Sequence, residues 1–190
     1  MGKIVVSENV SLDGVVQDPT GDEGFGRGGW FGQIKDRPEV GKLALDEALG
    51  AEALLLGRRS YEFFAARWPS RSGELADRLN SLPKYVVSLT LEDPEWNNST
   101  VLKGKAVSEV SKLKQELAGD IFAPASIQLV HTLLEHDLVD ELRLMIFPAV
   151  LGAGERLFGE NNGKKSMRLV RTQTVGDSLA LLTYELVQGA

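Results

Sequence analysis

The 190-residue chain contains no cysteine and only two histidines, His131 and His136. The absence of cysteine excludes disulfide bonds, thiolate metal sites, iron–sulfur clusters and a cysteine nucleophile. The two histidines are five residues apart in a stretch predicted to be helical, so they do not share a helix face. We therefore expect no metal site.

The chain also lacks a long apolar run and an excess of positive charge. Near the N-terminus, the apolar run Ile4–Val6 is interrupted by Ser7 and Glu8, unlike a secretory signal or a membrane span. Lysine and arginine number 21 against 27 aspartates and glutamates, a net charge of −6, which disfavours binding to nucleic-acid phosphates. We expect a cytoplasmic protein that binds neither nucleic acid nor membrane.

The composition is typical of a single globular domain covering residues 1–190. Hydrophobic residues make up 43% of the chain and charged residues 25%, which argues against disorder. This length can bury a core without cross-links. No repeat, low-complexity tract or obvious linker interrupts the sequence.

Short apolar runs alternate with amphipathic stretches through the first two-thirds of the chain. The intervening stretches carry apolar residues at helical spacing, as in Val107, Val110 and Leu113. Runs that are apolar on both faces are typical of parallel strands covered by helices. The pattern predicts an α/β domain, with strands at Ile4–Val6, Leu54–Leu56, Tyr85–Val87 and Ile121–Ala123.

The last third of the chain changes to a period of two. Leu142, Leu144 and Ile146 alternate with other residues, and a second alternating run lies near the C-terminus. Gly176-Asp177 separates that second run from Met167–Val175 and is typical of a hairpin turn. We therefore expect an antiparallel hairpin at the edge of a mostly parallel, mixed sheet.

The segment from Glu8 to Asp36 holds seven glycines and few large apolar residues. It is either a plain surface loop or a lid over a ligand. The aromatic pair Trp30-Phe31 favours a lid, because flat rings suit a planar ligand and lose little entropy when ordered.

Two predicted strand ends are candidate anion sites. Gly57-Arg58-Arg59-Ser60 follows Leu54–Leu56 and opens a helix, where free amides and two arginines suit a phosphate. The alternative is a glycine turn with solvated arginines. Ser126 also follows a predicted strand, Ile121–Ala123, and begins a helix, so it is the second candidate anion site. The alternative interpretation is that Ser126 is a plain helix N-cap.

Together, a series of motifs resembles the dihydrofolate reductase-like superfamily, and most closely the reductase domain of the bifunctional riboflavin-biosynthesis deaminase-reductase. Each motif is weak alone, but their order and spacing are specific for the family. The matching segments are Ser11–Gly14, Leu54–Glu62, Trp68-Pro69, Pro83–Ser88, Leu138–Leu144 and Pro148–Phe158.

The resemblance implies a three-layer α/β/α fold around a mixed sheet that binds NADPH, and it implies a homodimer. The implied activity is reduction of a small pterin-like or ribosylaminopyrimidine substrate, as in 5-amino-6-(5-phosphoribosylamino)uracil reductase. Asp13, Gly14, Trp30 and Phe31 would face the substrate, with Asp13 as the catalytic candidate. The implied cofactor contacts are Gly57, Arg58, Arg59, Ser60, Ser88, Leu89, Thr90, Pro124, Ala125, Ser126 and Ile127.

The chain departs from the family pattern at three places, and the first of them supports an alternative, a non-catalytic ligand-binding relative that has lost productive cofactor geometry. Ala125-Ser126-Ile127 stands where relatives have glycines, so its side chains are expected to restrict φ and hinder close approach to a phosphate. Leu89 stands where relatives often carry an arginine for the 2′-phosphate. The acidic residue of the first helix has no unambiguous match among Asp36, Glu39, Asp46 and Glu47.

Overall fold

The computed structural model describes residues 1–35, 37–159 and 163–187. The described strands are β1 (Lys3–Ser11), β2 (Ala51–Gly57), β3 (Lys84–Val87), β4 (Ser99–Leu102), β5 (Asp120–Pro124), β6 (Glu141–Phe147), β7 (Met167–Val175) and β8 (Leu179–Leu186). The helices are α1 (Arg37–Gly50), α2 (Arg58–Ala65), α3 (Glu74–Ser81), α4 (Ala106–Glu116) and α5 (Ile127–Glu135), with a 3-10 helix at Trp30–Gln33. None of the described helices has the length and apolar character needed to cross a membrane.

The strands form one mixed sheet in the order β4-β3-β2-β5-β1-β6-β8-β7. Pairing is parallel from β4 through β6, and antiparallel where β8 joins β6 and β7. The predicted α/β class and the C-terminal hairpin are both confirmed. Strand β4 was not predicted, because its four residues (Ser99–Leu102) are partly exposed and too few to show a clear period.

Helices cover both faces of the sheet, giving three layers. Along β1, Ile4 and Val6 pack in a core cluster with residues of α4 and α5. Val5 points to the opposite face and packs with Ala48 of α1 and Tyr61 of α2. The alternation follows from the two-residue period of a strand, and it buries both faces of the central sheet.

A third cluster fills the space between the β1–α1 segment and the antiparallel end of the sheet. Trp30 is only 2% exposed, and its ring meets Phe147 edge-on at a centroid distance of 5.1 Å. Its indole Nε1–H donates to the Gln17 carbonyl at 3.0 Å. Phe31 is half-buried against the same Phe147 ring, at 5.5 Å. The expectation that Trp30 covers a ligand is wrong for this conformation, because its ring is part of the core.

The glycine-rich segment is folded around one buried carboxylate, Asp18, which is 2% exposed. Its two oxygens accept hydrogen bonds from the amides of Glu23 (3.1 Å) and Phe25 (3.0 Å), and its carbonyl accepts one from Gly29 (3.0 Å). A Cβ at Gly28 would lie 2.5 Å from an Asp18 carboxylate oxygen, so position 28 needs glycine. The segment is therefore a structured loop, and sequence analysis missed Asp18 as its organiser.

Replacing Trp30 with alanine is expected to lower the free energy of unfolding by about 3–5 kcal/mol, because it removes a buried ring and leaves a cavity. Urea denaturation measures this loss. Val150→Ala is the control. Because Val150 is 72% exposed, this substitution should change the free energy of unfolding by no more than about 0.5 kcal/mol. Equal effects of the two substitutions would contradict the anchoring role of Trp30.

Candidate active site

The carboxyl ends of six neighbouring parallel strands line one edge of the sheet. At this edge, α2 leaves β2 toward the face that holds Tyr61, whereas α5 leaves the adjacent strand β5 toward the opposite face. Helices that diverge from adjacent strands open a crevice between the strand ends, where open α/β sheets bind their ligands. Topology thus places the candidate site between β2 and β5.

The two predicted anion sites meet in this crevice. The Gly57 amide donates to the Ser126 hydroxyl oxygen at 3.0 Å, joining the end of β2 to the turn after β5. Arg58, Arg59 and Ser60 form the first turn of α2, directly after Gly57. The structure therefore brings both predicted segments, 57–60 and 124–127, to one place.

The turn after β5 adopts the backbone conformation that glycines would favour. Ala125 has φ 55°, and Ser126 has φ 68° and ψ 47°, both left-handed. The expectation that side chains would keep this turn out of that conformation is wrong. Non-glycine residues in this region cost roughly 1–2 kcal/mol each and tend to occur at functional sites.

Ser126 does not act as a side-chain N-cap of α5, because its hydroxyl oxygen accepts from Gly57 and makes no capping hydrogen bond. That alternative is therefore wrong. The first-turn amides of α5 are left without a side-chain cap and face the crevice end of the helix. The Ile127 side chain packs toward the α4–α5 core, so only its backbone can contribute to the site.

Arg58 bridges the crevice and the loop that follows β3. Its Nε donates to Glu62 at 2.8 Å and its Nη1 to the Thr90 hydroxyl at 2.5 Å. Ser88 orders this loop, since its hydroxyl accepts from the Thr90 and Leu91 amides. The Leu89 side chain is 76% exposed, and as a hydrocarbon it offers no charge or hydrogen bond to a phosphate.

Asp13 holds two loops together. Its carboxylate accepts from the Ser11 hydroxyl (2.7 Å) and from the amides of Leu151 (3.0 Å) and Gly152 (2.7 Å). The hydrogen bond from Ser11, followed by those from Leu151 and Gly152, holds the pKa of Asp13 well below its usual range. Asp13 is therefore ionised at neutral pH, and its role as the catalytic candidate stays a prediction. Gly14, with φ 84°, continues the same turn.

Sequence analysis missed Glu8, the most unusual carboxyl group at this end of the sheet. Glu8 is only 7% exposed, and its Oε1 is buried without a hydrogen-bond partner. Burial raises the pKa of Glu8 to about 8, so it is mostly a neutral acid at pH 7. The sequence did carry a signal. Glu8 lies two residues after Val6 and four after Ile4, so its side chain is on the same buried face of β1.

Among the acidic candidates of the first helix, Glu47 packs against β1 and β6. It accepts from the Ser7 hydroxyl at 3.0 Å and lies 3.5 Å from a guanidinium nitrogen of Arg143. Burial is the main reason that the pKa of Glu47 is raised. Glu39, Asp46 and Glu47 line a cavity of about 640 Å³ between α1 and the C-terminal strands. Asp36 lies outside the described residues.

A sequence model of the RibD C-terminal domain matches residues 2–181. The chain belongs to this family. The uncharacterized protein YyaP of Bacillus subtilis (strain 168) is 28% identical over 187 residues, which cover 96% of this chain and 94% of YyaP. Family membership confirms the resemblance inferred from the motifs.

Two solved structures share the fold of this RibD C-terminal domain. One is a provisionally assigned riboflavin biosynthesis protein from Shewanella sp. PV-4, with TM-score 0.75, 24% identity and coverage of 98% of this chain and 99% of that one. The other is the diaminohydroxyphosphoribosylaminopyrimidine deaminase/5-amino-6-(5-phosphoribosylamino)uracil reductase of Thermotoga maritima, with TM-score 0.62 and 15% identity. That match covers 98% of this chain and 57% of the Thermotoga protein.

Glu8 is expected to make the stability of this RibD C-terminal domain depend on pH. Glutamate titrates near 4.5 in the unfolded chain and near 8 in the folded protein. The folded state therefore holds the extra proton between these values, and stability falls as pH rises from about 4.5 through 8. Glu8→Gln should remove this loss and be more stable than the wild type at pH 9.

Urea denaturation from pH 4 to 9 tests this expectation. The control is Glu92→Gln, which changes an exposed glutamate and should leave the wild-type pH profile intact. If Glu8→Gln and the wild type show parallel profiles, Glu8 is not protonated in the folded protein.

Proposed function

We propose that this protein is an NADPH-dependent reductase of a small, planar, nitrogen-rich heterocycle of the pterin or ribosylaminopyrimidine class. The observation that carries the proposal is the crevice where Gly57 meets Ser126 and the turn at Ala125 keeps a left-handed backbone. Membership of the RibD C-terminal domain family supports an oxidoreductase. The name of the Thermotoga neighbour supports the substrate class.

The residues present in the crevice fit a diphosphate. Uncapped amides at the start of α5 and the backbone of the left-handed turn can donate to phosphate oxygens. Arg58 adds a positive charge held in place by Glu62 and Thr90. When bound, NADPH would supply a hydride to the substrate. The chain itself would align the two partners in a crevice that excludes water.

Ion pairs join the β1–α1 loop to α2, the helix that begins at the crevice, and to the turn that follows α2. Asp22 lies 3.0 Å from the Arg67 guanidinium, and Glu23 lies 3.5 Å from that of Arg59. This contact keeps the loop beside the proposed phosphate site, where it can limit the access of water. Through Leu151 and Gly152, Asp13 positions the loops of the site and leaves proton transfer to other groups.

A non-catalytic binding protein is the second candidate function. Its main support was the lack of glycine at Ala125 and Ser126. Both residues nevertheless adopt left-handed φ values, so the reductase is the better-supported proposal. Oxidation of NADPH by candidate heterocycles, followed at the nicotinamide absorbance band, distinguishes the two functions.

Arg58→Ala is expected to raise the dissociation constant for NADPH roughly tenfold, because a charge-assisted phosphate contact contributes about 1.5–3 kcal/mol and Arg58 is partly solvent-screened. Isothermal titration calorimetry measures this change. Arg168→Ala is the matched control, since Arg168 lies on β7 and pairs with Glu185. An unchanged constant for Arg58→Ala would remove Arg58 from the cofactor site.

We also propose that two copies of the chain pair through the edge strand β7. This nine-residue strand ends the sheet and exposes Leu169 (50%) and Val170 (47%). An exposed apolar edge strand favours pairing with another strand, and a second copy presents the same edge. The pairing would be isologous, as in most homodimers.

Lysines at positions 169 and 170 are expected to convert such a dimer to a monomer, because edge charges oppose strand pairing. Size-exclusion chromatography with light scattering compares L169K/V170K with the wild type. Leu49→Lys serves as the control, as Leu49 is equally exposed but lies on α1. A monomeric wild type, or a double variant that remains dimeric, would contradict pairing through β7.

A further inference from the structure

Glu8 lies on β1 beside the left-handed turn of the crevice. Ser7 pairs with Pro124 in the parallel register of β1 and β5, and its carbonyl accepts from the Ala125 amide at 3.4 Å. Glu8 is the next residue along β1, and neighbouring strands are about 4.8 Å apart. Its side chain leaves β1 on the face covered by α5, as does that of Val6. Glu8 and the α5 amides proposed to bind the diphosphate are therefore on one face, beside the same turn.

The surroundings of Glu8 on this face are apolar. Val6 and Val10 flank it along β1, and Leu144 of β6 lies opposite it in the register. Residues of β5 and α5 continue the same core cluster, among them Ala123, Leu129 and Val130. Burial is the cause that raises the pKa of Glu8, with no contribution from a charged side chain.

The titratable residues of β1, β5, β6 and α5 lie at strand ends, on the opposite face of the sheet or at the surface. They are Lys3 of β1, Asp120 of β5, Glu141 and Arg143 of β6, and His131 and Glu135 of α5. Glu141 and Arg143 line the cavity beside α1, on the other face of the sheet, and His131 bonds to a loop carbonyl. Within the described part of the chain, the Glu8 carboxyl group therefore forms no ion pair.

The position of Glu8 is better explained by chemistry than by folding. Its side chain is buried, and Oε1 has no hydrogen-bond partner among the described residues. A buried polar atom without a partner lowers stability, and native proteins keep few of them. A neutral acid in an apolar setting is, however, well suited to giving up a proton near neutral pH.

The proposed reduction consumes a proton as well as a hydride. The double bond reduced in a dihydropterin, or in the ring-opened form of a ribosylaminopyrimidine, joins carbon to nitrogen. The hydride forms the new C–H bond, and the electron pair of the double bond moves to nitrogen, which must then be protonated. Asp13 is ionised at neutral pH and has no proton to give. Glu47 lies on the opposite face, where Ser7 and Arg143 contact its oxygens.

We propose that Glu8 donates the proton that completes this reduction. The inference rests on the proposed reductase function and deepens it by assigning the source of the proton. The O–H bond of Glu8 breaks as the N–H bond of the product forms. The step leaves a Glu8 carboxylate, NADP⁺ and a carbon–nitrogen single bond, and water returns a proton to Glu8 before the next turnover.

Steady-state kinetics of the wild type, Glu8→Gln and the control Glu92→Gln test the assignment. The substrates are NADPH with dihydropterin or with 5-amino-6-(5-phosphoribosylamino)uracil. Glutamine keeps the shape of the side chain but has no acidic proton. We expect Glu8→Gln to lower kcat by about 100-fold or more, as for a lost general acid, and to leave the calorimetric dissociation constant for NADPH unchanged. Glu92 is exposed, so its variant should match the wild type.

Two further measurements report on the proton itself. Glu8 must be protonated to act as a donor, so the wild-type kcat should fall as pH rises through about 8, the pKa of Glu8. Glu8→Gln should lack this fall. In the free protein at pH 7, infrared difference spectra should show the C=O band of a neutral carboxyl group in the wild type that Glu8→Gln lacks.

A wild-type kcat in Glu8→Gln, or a wild-type pH profile without the fall near 8, would overturn the role of Glu8 and leave the reductase proposal intact. So would a free protein without the neutral carboxyl band, or an equal loss of NADPH affinity and kcat in Glu8→Gln. A wild type that oxidises NADPH with neither compound would overturn both proposals. Circular dichroism verifies that each variant is folded.

Discussion

The insertion of β5 between β2 and β1 is the constraint on which the site depends. A strand in that position sends its following helix to the face opposite α1 and α2. The strand ends then face an open crevice. The Gly57–Ser126 hydrogen bond joins two segments that are 69 residues apart in sequence, and it exists only because of this strand order. The family to which the chain belongs shares this architecture.

Carboxylates in this protein mainly organise backbone. Asp18 gathers the amides of the β1–α1 loop, and Asp13 ties the turn after β1 to the amides of Leu151 and Gly152. At Asp13, the hydrogen bonds from Ser11, Leu151 and Gly152 also favour the charged form and lower the pKa of the carboxyl group. Glu8 is the opposite case, since it is buried without partners for Oε1 and keeps its proton.

Much of the fold could be predicted from the sequence, because buried strands and amphipathic helices leave periodic patterns. Such patterns predict the parallel core and the hairpin at Gly176-Asp177. Strand β4 is too short and too exposed to leave a pattern. The site was predicted less completely. Strand-end motifs located residues 57–60 and 124–127, but the aromatic pair was misread, because Trp30 packs on Phe147, a residue 117 positions away.

The sequence alone determined the class of the domain, the absence of thiol chemistry and the strand ends that bear polar groups, because composition and periodicity are local properties. Tertiary structure decided which of those ends meet and which carboxyl groups are ionised. Those properties depend on burial and on partners brought from distant segments. A carboxyl group is therefore an anion at Asp13, which accepts hydrogen bonds from Ser11, Leu151 and Gly152, and a neutral acid at Glu8, which is buried.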